Sequence, residues 1–148
     1  MNVQQTIKSI ADLIIDASTG ANRPISQAQF VVIHQSAGSN PLPLPAGKMA
    51  VYSFFYTATG ACLKVGQANA KSNARYQSQH YGMNANSTLT KSLIADPQMP
   101  MVSETNWQDW VKNNCERFDV LIDARLGKIT LNFIEGLLQY LFQPKYEG

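Results

Sequence analysis

Tyr52, Lys64, Arg75, His80, Tyr81 and Glu135 are side chains of the types that handle phosphate esters. Hydrolysing a phosphodiester needs donors for the equatorial oxygens, a base for the attacking water and a cation to stabilise the leaving oxygen. A tyrosine, a lysine, an arginine and a histidine converging on a carboxylate would supply that set. Singly, each has a plainer reading: Tyr52 as a strand aromatic, Lys64 as a solvated edge residue, Arg75 as a surface helix residue, His80 as a helix C-cap. Their order along the chain, and the elements that carry them, decide between the two.

Two β-prone runs, Ala50 to Thr57 and Ala61 to Gly66, are joined by a short turn containing Gly60 and predict an antiparallel hairpin. Tyr52 falls on its first strand and Lys64 on its second, an acid-base capable pair, and Gly66 permits close approach of backbone. Lys71 to His80 has few breakers and reads as a short helix carrying Arg75, with His80 and Tyr81 at its end. Thr88 to Ala95 predicts another helix, ended before Pro97, and 106 to 115 a third with Trp107 and Trp110 on one side. Phe118 to Ala124 alternates poorly but is strongly β-prone, which suits a buried strand. Gly127 then turns the chain into a last helix over about 130 to 142, stopped by Pro144.

That last helix carries apolar side chains around nearly its whole circumference, from Leu131 to Phe142, which predicts burial on most sides. Glu135 sits among them. An ionised carboxylate in such surroundings must be compensated by a cation or hydrogen bonds, or be protonated. Asn132 followed three residues later by Glu135 also fits a capping box at a helix start.

Ahead of the hairpin, Val3, Ile7, Ile10, Leu13 and Ile14 recur at helical spacing and predict an amphipathic helix from about 3 to 17. Pro24 to Gln35 supports two readings: Ser26 and Gln29 fit a capping box before a helix, while Phe30 to Ile33 suits a buried strand. Ser36 to Gly47, rich in Pro, Gly, Ser and Asn, is a loop.

At 148 residues and 45% hydrophobic content the chain suits one domain with a real core. Its longest apolar runs, such as Leu13 to Ile15 and Val31 to Ile33, fall far short of the ~20 residues a membrane span requires, so no membrane partner is expected. Only Lys8 is basic near the N-terminus and no apolar signal core follows, which predicts a cytoplasmic protein. Cys62 and Cys115 lack Cys or His neighbours at ligand spacing and read as buried thiols. The net charge is only +2, but no Asp or Glu lies between Asp16 and Asp96, where Arg23, Lys48, Lys64, Lys71, Arg75 and Lys91 stand. That segment would attract a polyanion, with Lys48, Lys71, Arg75 and Lys91 as candidate nucleic-acid contacts.

Taken as an ordered set, these residues resemble the GIY-YIG nuclease superfamily. There a strand carrying Gly-Ile-Tyr is hairpinned to one carrying Tyr-Ile-Gly; here Ala50-Val51-Tyr52 and Lys64-Val65-Gly66 occupy the matching places. Arg75 follows the second motif at the family's spacing, a His or Tyr (His80 or Tyr81) comes next, and Glu135 lies on a helix after the third strand, followed by Pro144. Lys64 replaces the second-motif tyrosine and Ala50 the first-motif glycine. Gln79 stands at the common histidine position, and Glu147 where an asparagine is frequent.

The resemblance spans residues 49 to 147 and implies an α/β fold: a small, mainly antiparallel three-stranded sheet flanked by helices, with residues 1–48 as an N-terminal helical arm and loop before a nuclease domain at 49–148. It implies an endonuclease cutting DNA, of restriction or defence type, in which Tyr52 activates or positions water and Arg75 holds the scissile phosphate. Glu135 would bind one Mg2+ or Mn2+ ion. A tyrosine base, with an unperturbed pKa of ~10, needs nearby positive charge to lower it, which Lys64 and Arg75 would supply. The alternative is a catalytically weak nucleic-acid-binding module of the same fold. A homodimer paired through the apolar face of the 3–17 helix would double the reading surface.

Overall fold

The apolar heptad-like spacing near the N-terminus folds as α1 (Val3–Gly20), capped by Asn2, whose side-chain oxygen accepts from the Gln5 amide at 3.0 Å. The computed structural model describes residues 2–71, 76 and 88–146. Pro24 to Gln35 takes part of each reading: the capping box is present but opens only one turn, and the strand forms but lies at the sheet edge, only partly buried. Ser26 and Gln29 form a capping box around a single 3-10 turn (Gln27–Gln29), and the chain then extends into β1 (Phe30–Gln35). The hairpin follows as β2 (Lys48–Tyr56) and β3 (Cys62–Ala68), then α2 (Thr88–Ala95), α3 (Trp107–Asn114), β4 (Cys115–Asp123) and α4 (Gly127–Phe142). Among the described residues no helix is long and apolar enough to cross a membrane.

The strands form one antiparallel sheet in the order β1-β4-β2-β3. Among the described residues four strands, not the expected three, make the sheet. The fourth is β1, whose short apolar run pairs with β4 from Phe30↔Ile122 to Gln35↔Arg117 and so leaves β4 and β2 in the centre. A central strand covered on both faces is buried along nearly its whole length, which is why β2 and β4 lack clean apolar-polar alternation.

Helices cover both faces. On one, Ile10 and Ile14 of α1 and Leu131, Ile134 and Leu138 of α4 pack on Val51, Val65, Phe118, Val120 and Ile122. On the other, Leu89 and Leu93 of α2 and Trp107, Trp110 and Val111 of α3 pack on Ala50, Tyr52, Phe54, Leu63 and Leu121. Each fully buried Leu or Ile contributes about 1.5–3 kcal/mol relative to an exposed one. The apolar face of α1 is buried in the chain's own core, so a homodimer would have to use another surface. Cys62 and Cys115 are buried thiols outside any disulfide, and burial raises the Cys115 thiol to about 12.

Burial of α4 on most sides is not what is seen. Ile129 is 86% and Tyr140 83% exposed, because α4 lies on the sheet as an outer layer and, among the described residues, nothing packs over its back. The helix also starts at Gly127, five residues before Asn132, so Asn132 and Glu135 are interior to it and form no capping box. The helix expected over 71–80 lies outside the described residues except for Lys71 and Tyr76.

Candidate active site

Tyr52 sits mid-strand on β2, opposite Gly66 of β3 on one side and Asp119 of β4 on the other. Its ring crosses β3 at Gly66. A Cβ at that position would stand 2.7 Å from both Cζ and Oη of Tyr52, closer than any real contact, so only glycine leaves room for the phenol. Lys64 lies opposite Phe54 in the same ladder, with Leu63 taken up in a register shift, and so stands on the Tyr52 face of the sheet. The hairpin expected from the two β-prone runs forms, and its register places Tyr52, Lys64 and Gly66 on one face. Tyr52 is 3% exposed, however, so the strand aromatic and the candidate base are one and the same buried residue.

Beneath Tyr52 lies a buried charged network that sequence reasoning missed. Arg117 and Asp119 are two residues apart on β4, hence on one face, and both are 0% exposed. Arg117 Nε donates to Asp119 Oδ1 at 2.8 Å. The guanidinium carbon lies 4.4 Å from the ring centre of Tyr76, 5.2 Å from that of Phe54 and 5.3 Å from that of Tyr52. Asp119 Oδ2 accepts from Gln35 Nε2 at 2.6 Å and from the Tyr76 hydroxyl at 3.2 Å, while Gln35 Oε1 accepts from the Leu42 amide at 2.9 Å. The available signal was an Arg-x-Asp pair leading into the apolar run Val120 to Ile122 of the same strand, since charges are almost never fully buried unless paired.

Glu135 belongs to α4, whose core residues pack on the opposite face of the sheet from Tyr52. Glu135 itself is half-buried. Four residues after Leu131 and three after Asn132, it lies on the flank between the core stripe and the side chains that reach β3. There Asn132 Oδ1 accepts from Gln67 Nε2 at 2.9 Å, and Lys128 donates to Gln67 Oε1. The Tyr52 ring thus lies over Gly66 on one face while α4 grips Gln67, the next residue of the same edge strand, from the other. A site using both Tyr52 and Glu135 has to wrap around that edge.

The chain after α4 makes the same crossing. Past Pro144 the amides of Lys145 and Tyr146 donate to the Cys62 and Leu63 carbonyls at 3.0 Å each, and the Tyr146 ring packs with the Tyr52-side cluster. Its end is pinned by Asp96, whose Oδ2 meets Lys145 Nζ at 2.8 Å and the Tyr146 hydroxyl at 2.6 Å. The Lys145 contact first, then the Tyr146 hydroxyl and the Gln98 amide, hold the Asp96 carboxyl down at about 2, from an ordinary 3.8. A depressed carboxyl stabilises the fold above its ordinary pKa and ceases to do so as pH falls through the depressed value. Protection of the Lys145 and Tyr146 amides from hydrogen exchange is therefore expected to fall between about pH 4 and pH 2. Asp96→Asn should remove that dependence; equal protection at both pH values in the wild type would count against the latch.

Among the other candidate contacts, Lys48 opens β2 opposite Asp123 and is half-buried, whereas Lys71, just past the end of β3, and Lys91 on α2 are exposed. Lys48 and Lys71 flank the same end of the hairpin, since Ala50 pairs with Ala68. Arg75, His80 and Tyr81 lie outside the described residues. No group of three or more His, Cys, Asp or Glu side chains gathers for a metal ion among the described residues. A magnesium-like ion does not require one, because it is commonly held by one or two carboxylates with water and substrate oxygens completing its shell. Glu135, partly open on the β3 flank, fits that donor set. The chain matches no family model, no curated protein and no solved structure.

Proposed function

We propose that this chain is a GIY-YIG-type endonuclease, hydrolysing DNA phosphodiester bonds with one Mg2+ or Mn2+ ion. The observation that carries the reading is the hairpin register: Tyr52 faces Gly66 with its ring over the missing side chain, and Lys64 stands on the same face. Tyr52 positions or activates water, Lys64 and Arg75 offer positive charge to the phosphate, and His80 or Tyr81 completes the proton traffic. Glu135 holds the ion at the β3 edge; when bound, the ion supplies charge stabilisation for the leaving oxygen. The acid-free stretch from 17 to 95, with Lys48, Lys71 and Lys91, draws in the polyanion. A restriction or defence role follows from the resemblance alone.

One observation favours the alternative of binding without turnover: the Tyr52 ring is almost wholly buried, and α4 approaches from the opposite face. Plasmid nicking with magnesium separates the two. Glu135→Ala is expected to slow nicking by about 10²-fold or more, and Tyr52→Phe by about 10²-fold, with duplex binding retained in both. Binding by a wild-type protein that nicks nothing would establish the alternative, and undiminished nicking by Glu135→Ala would remove Glu135 from the chemistry.

A further inference from the structure

The Arg117–Asp119 pair is hard to explain as a stabilising element. Taking two charges out of water costs several kcal/mol per ion, and buried pairs are often replaced by apolar residues of similar volume with no loss of stability. What apolar replacements do not reproduce is geometry. The flat guanidinium lies against the Tyr52, Phe54 and Tyr76 rings at once, and the carboxylate offers one fixed acceptor to both Gln35 and the Tyr76 hydroxyl.

Asp119 is also the direct ladder neighbour of Tyr52, and Arg117 that of Phe54. The ring of Tyr52 is thereby confined between the Arg117 cation on one side and the bare backbone of Gly66 on the other. Tyr76, held by both members of the pair, is the residue that follows Arg75 in the chain.

We propose that Arg117 and Asp119 are a positioning pair that fixes the Tyr52 phenol across the β3 edge and anchors Tyr76 on the same face. The proposal rests on the nuclease reading for its catalytic consequence, though not for the placement of the ring. Neither residue touches substrate. Both act through Tyr52.

The double variant Arg117→Met/Asp119→Leu removes both charges together and leaves no lone ion in the core. It is expected to unfold cooperatively near the wild-type denaturant midpoint and to nick plasmid with KM within about threefold of wild type but kcat lower by about 10²-fold, the loss that a misplacement of about 1 Å produces. Ring-labelled tyrosine NMR gives a second readout that does not require turnover. The Tyr52 signal, assigned by its absence in Tyr52→Phe, should shift or broaden in the double variant. Should the double variant not fold, Asp119→Asn, which keeps the shape and one carbonyl acceptor, is read in the same two ways.

An unchanged Tyr52 signal, or a kcat within about threefold of wild type in a folded variant, overturns the proposal and leaves the pair as core packing. If the wild type nicks nothing, the nuclease reading fails by itself. A displaced Tyr52 signal would then still support the positioning of the ring, and an undisplaced one would overturn it.

Discussion

Asp119→Ala is expected to lower the unfolding free energy by about 3–5 kcal/mol, the largest effect of any single substitution considered for this chain. The reason is what it leaves behind. Arg117 is wholly buried, its Nε donates to Asp119, and a guanidinium does not shed its charge by deprotonation. Removing the carboxylate takes from the buried Arg117 cation the anion that Nε donates to, and takes the acceptor from Gln35 and the Tyr76 hydroxyl in the same step. For a domain of this length the loss corresponds to roughly 6–20 °C in Tm. Urea unfolding of Asp119→Ala and of the Arg117→Met/Asp119→Leu double variant makes the comparison. A single variant as stable as wild type would mean that the pair is solvated and not buried as described.

Gly66→Ala comes second, and its sign runs against the usual expectation. Replacing glycine in a strand commonly stabilises by about 0.4–1 kcal/mol, because the unfolded chain loses freedom. Here the new methyl group would sit 2.7 Å from the Tyr52 ring and hydroxyl, and that ring is backed by Arg117 and cannot swing away cheaply. Overpacking of this kind costs about 1–3 kcal/mol, which outweighs the gain. Because the displaced group is Tyr52, nicking should fall by about 10²-fold as well.

Gly136→Ala is the matched control. Nothing lies within 4 Å of a Cβ built there, and the site is interior to α4, so the same chemical change is expected to stabilise by about 0.5–1 kcal/mol. Thermal melts of the two variants side by side test the contrast. Equal shifts of the same sign would show that the Tyr52 ring does not occupy the space over Gly66.

The contrast between these glycines marks how far the sequence could be read. Gly66 stood out through its place behind Lys64, and its role as a point of close approach was legible from the motif pair. What approaches it, a side chain of the neighbouring strand, required the ladder register. The ends of α1, α2 and α3 and the hairpin strands were legible to within a few residues, because helix spacing, turn residues and breakers are local signals. The segment from Pro24 to Gln35 resisted a single reading for a physical reason: its capping box and its strand are both real and adjacent, one turn of 3-10 helix leading into six residues of β1.

The candidate site divides along the same line. Tyr52, Lys64, Glu135 and their order follow from residue types and spacing, which covalent connectivity alone conveys. Which face of the sheet each of them occupies does not. Tyr52 and the core residues of α4 lie on opposite faces because α4 packs beside α1 on the face that carries Val51, Phe118, Val120 and Ile122, and that arrangement depends on pairings between segments about 90 residues apart. Arg117 and Asp119 escaped notice on similar grounds. The β-prone run that begins at Phe118 announces a buried strand but not what compensates its charges; the partners Gln35 and Tyr76 are 84 and 43 residues from Asp119, and only folding brings them to it. Local chemistry thus named the candidate reactive groups, whereas burial, facing and charge compensation emerged from long-range packing, since the free energy of a buried group is set by its neighbours in space.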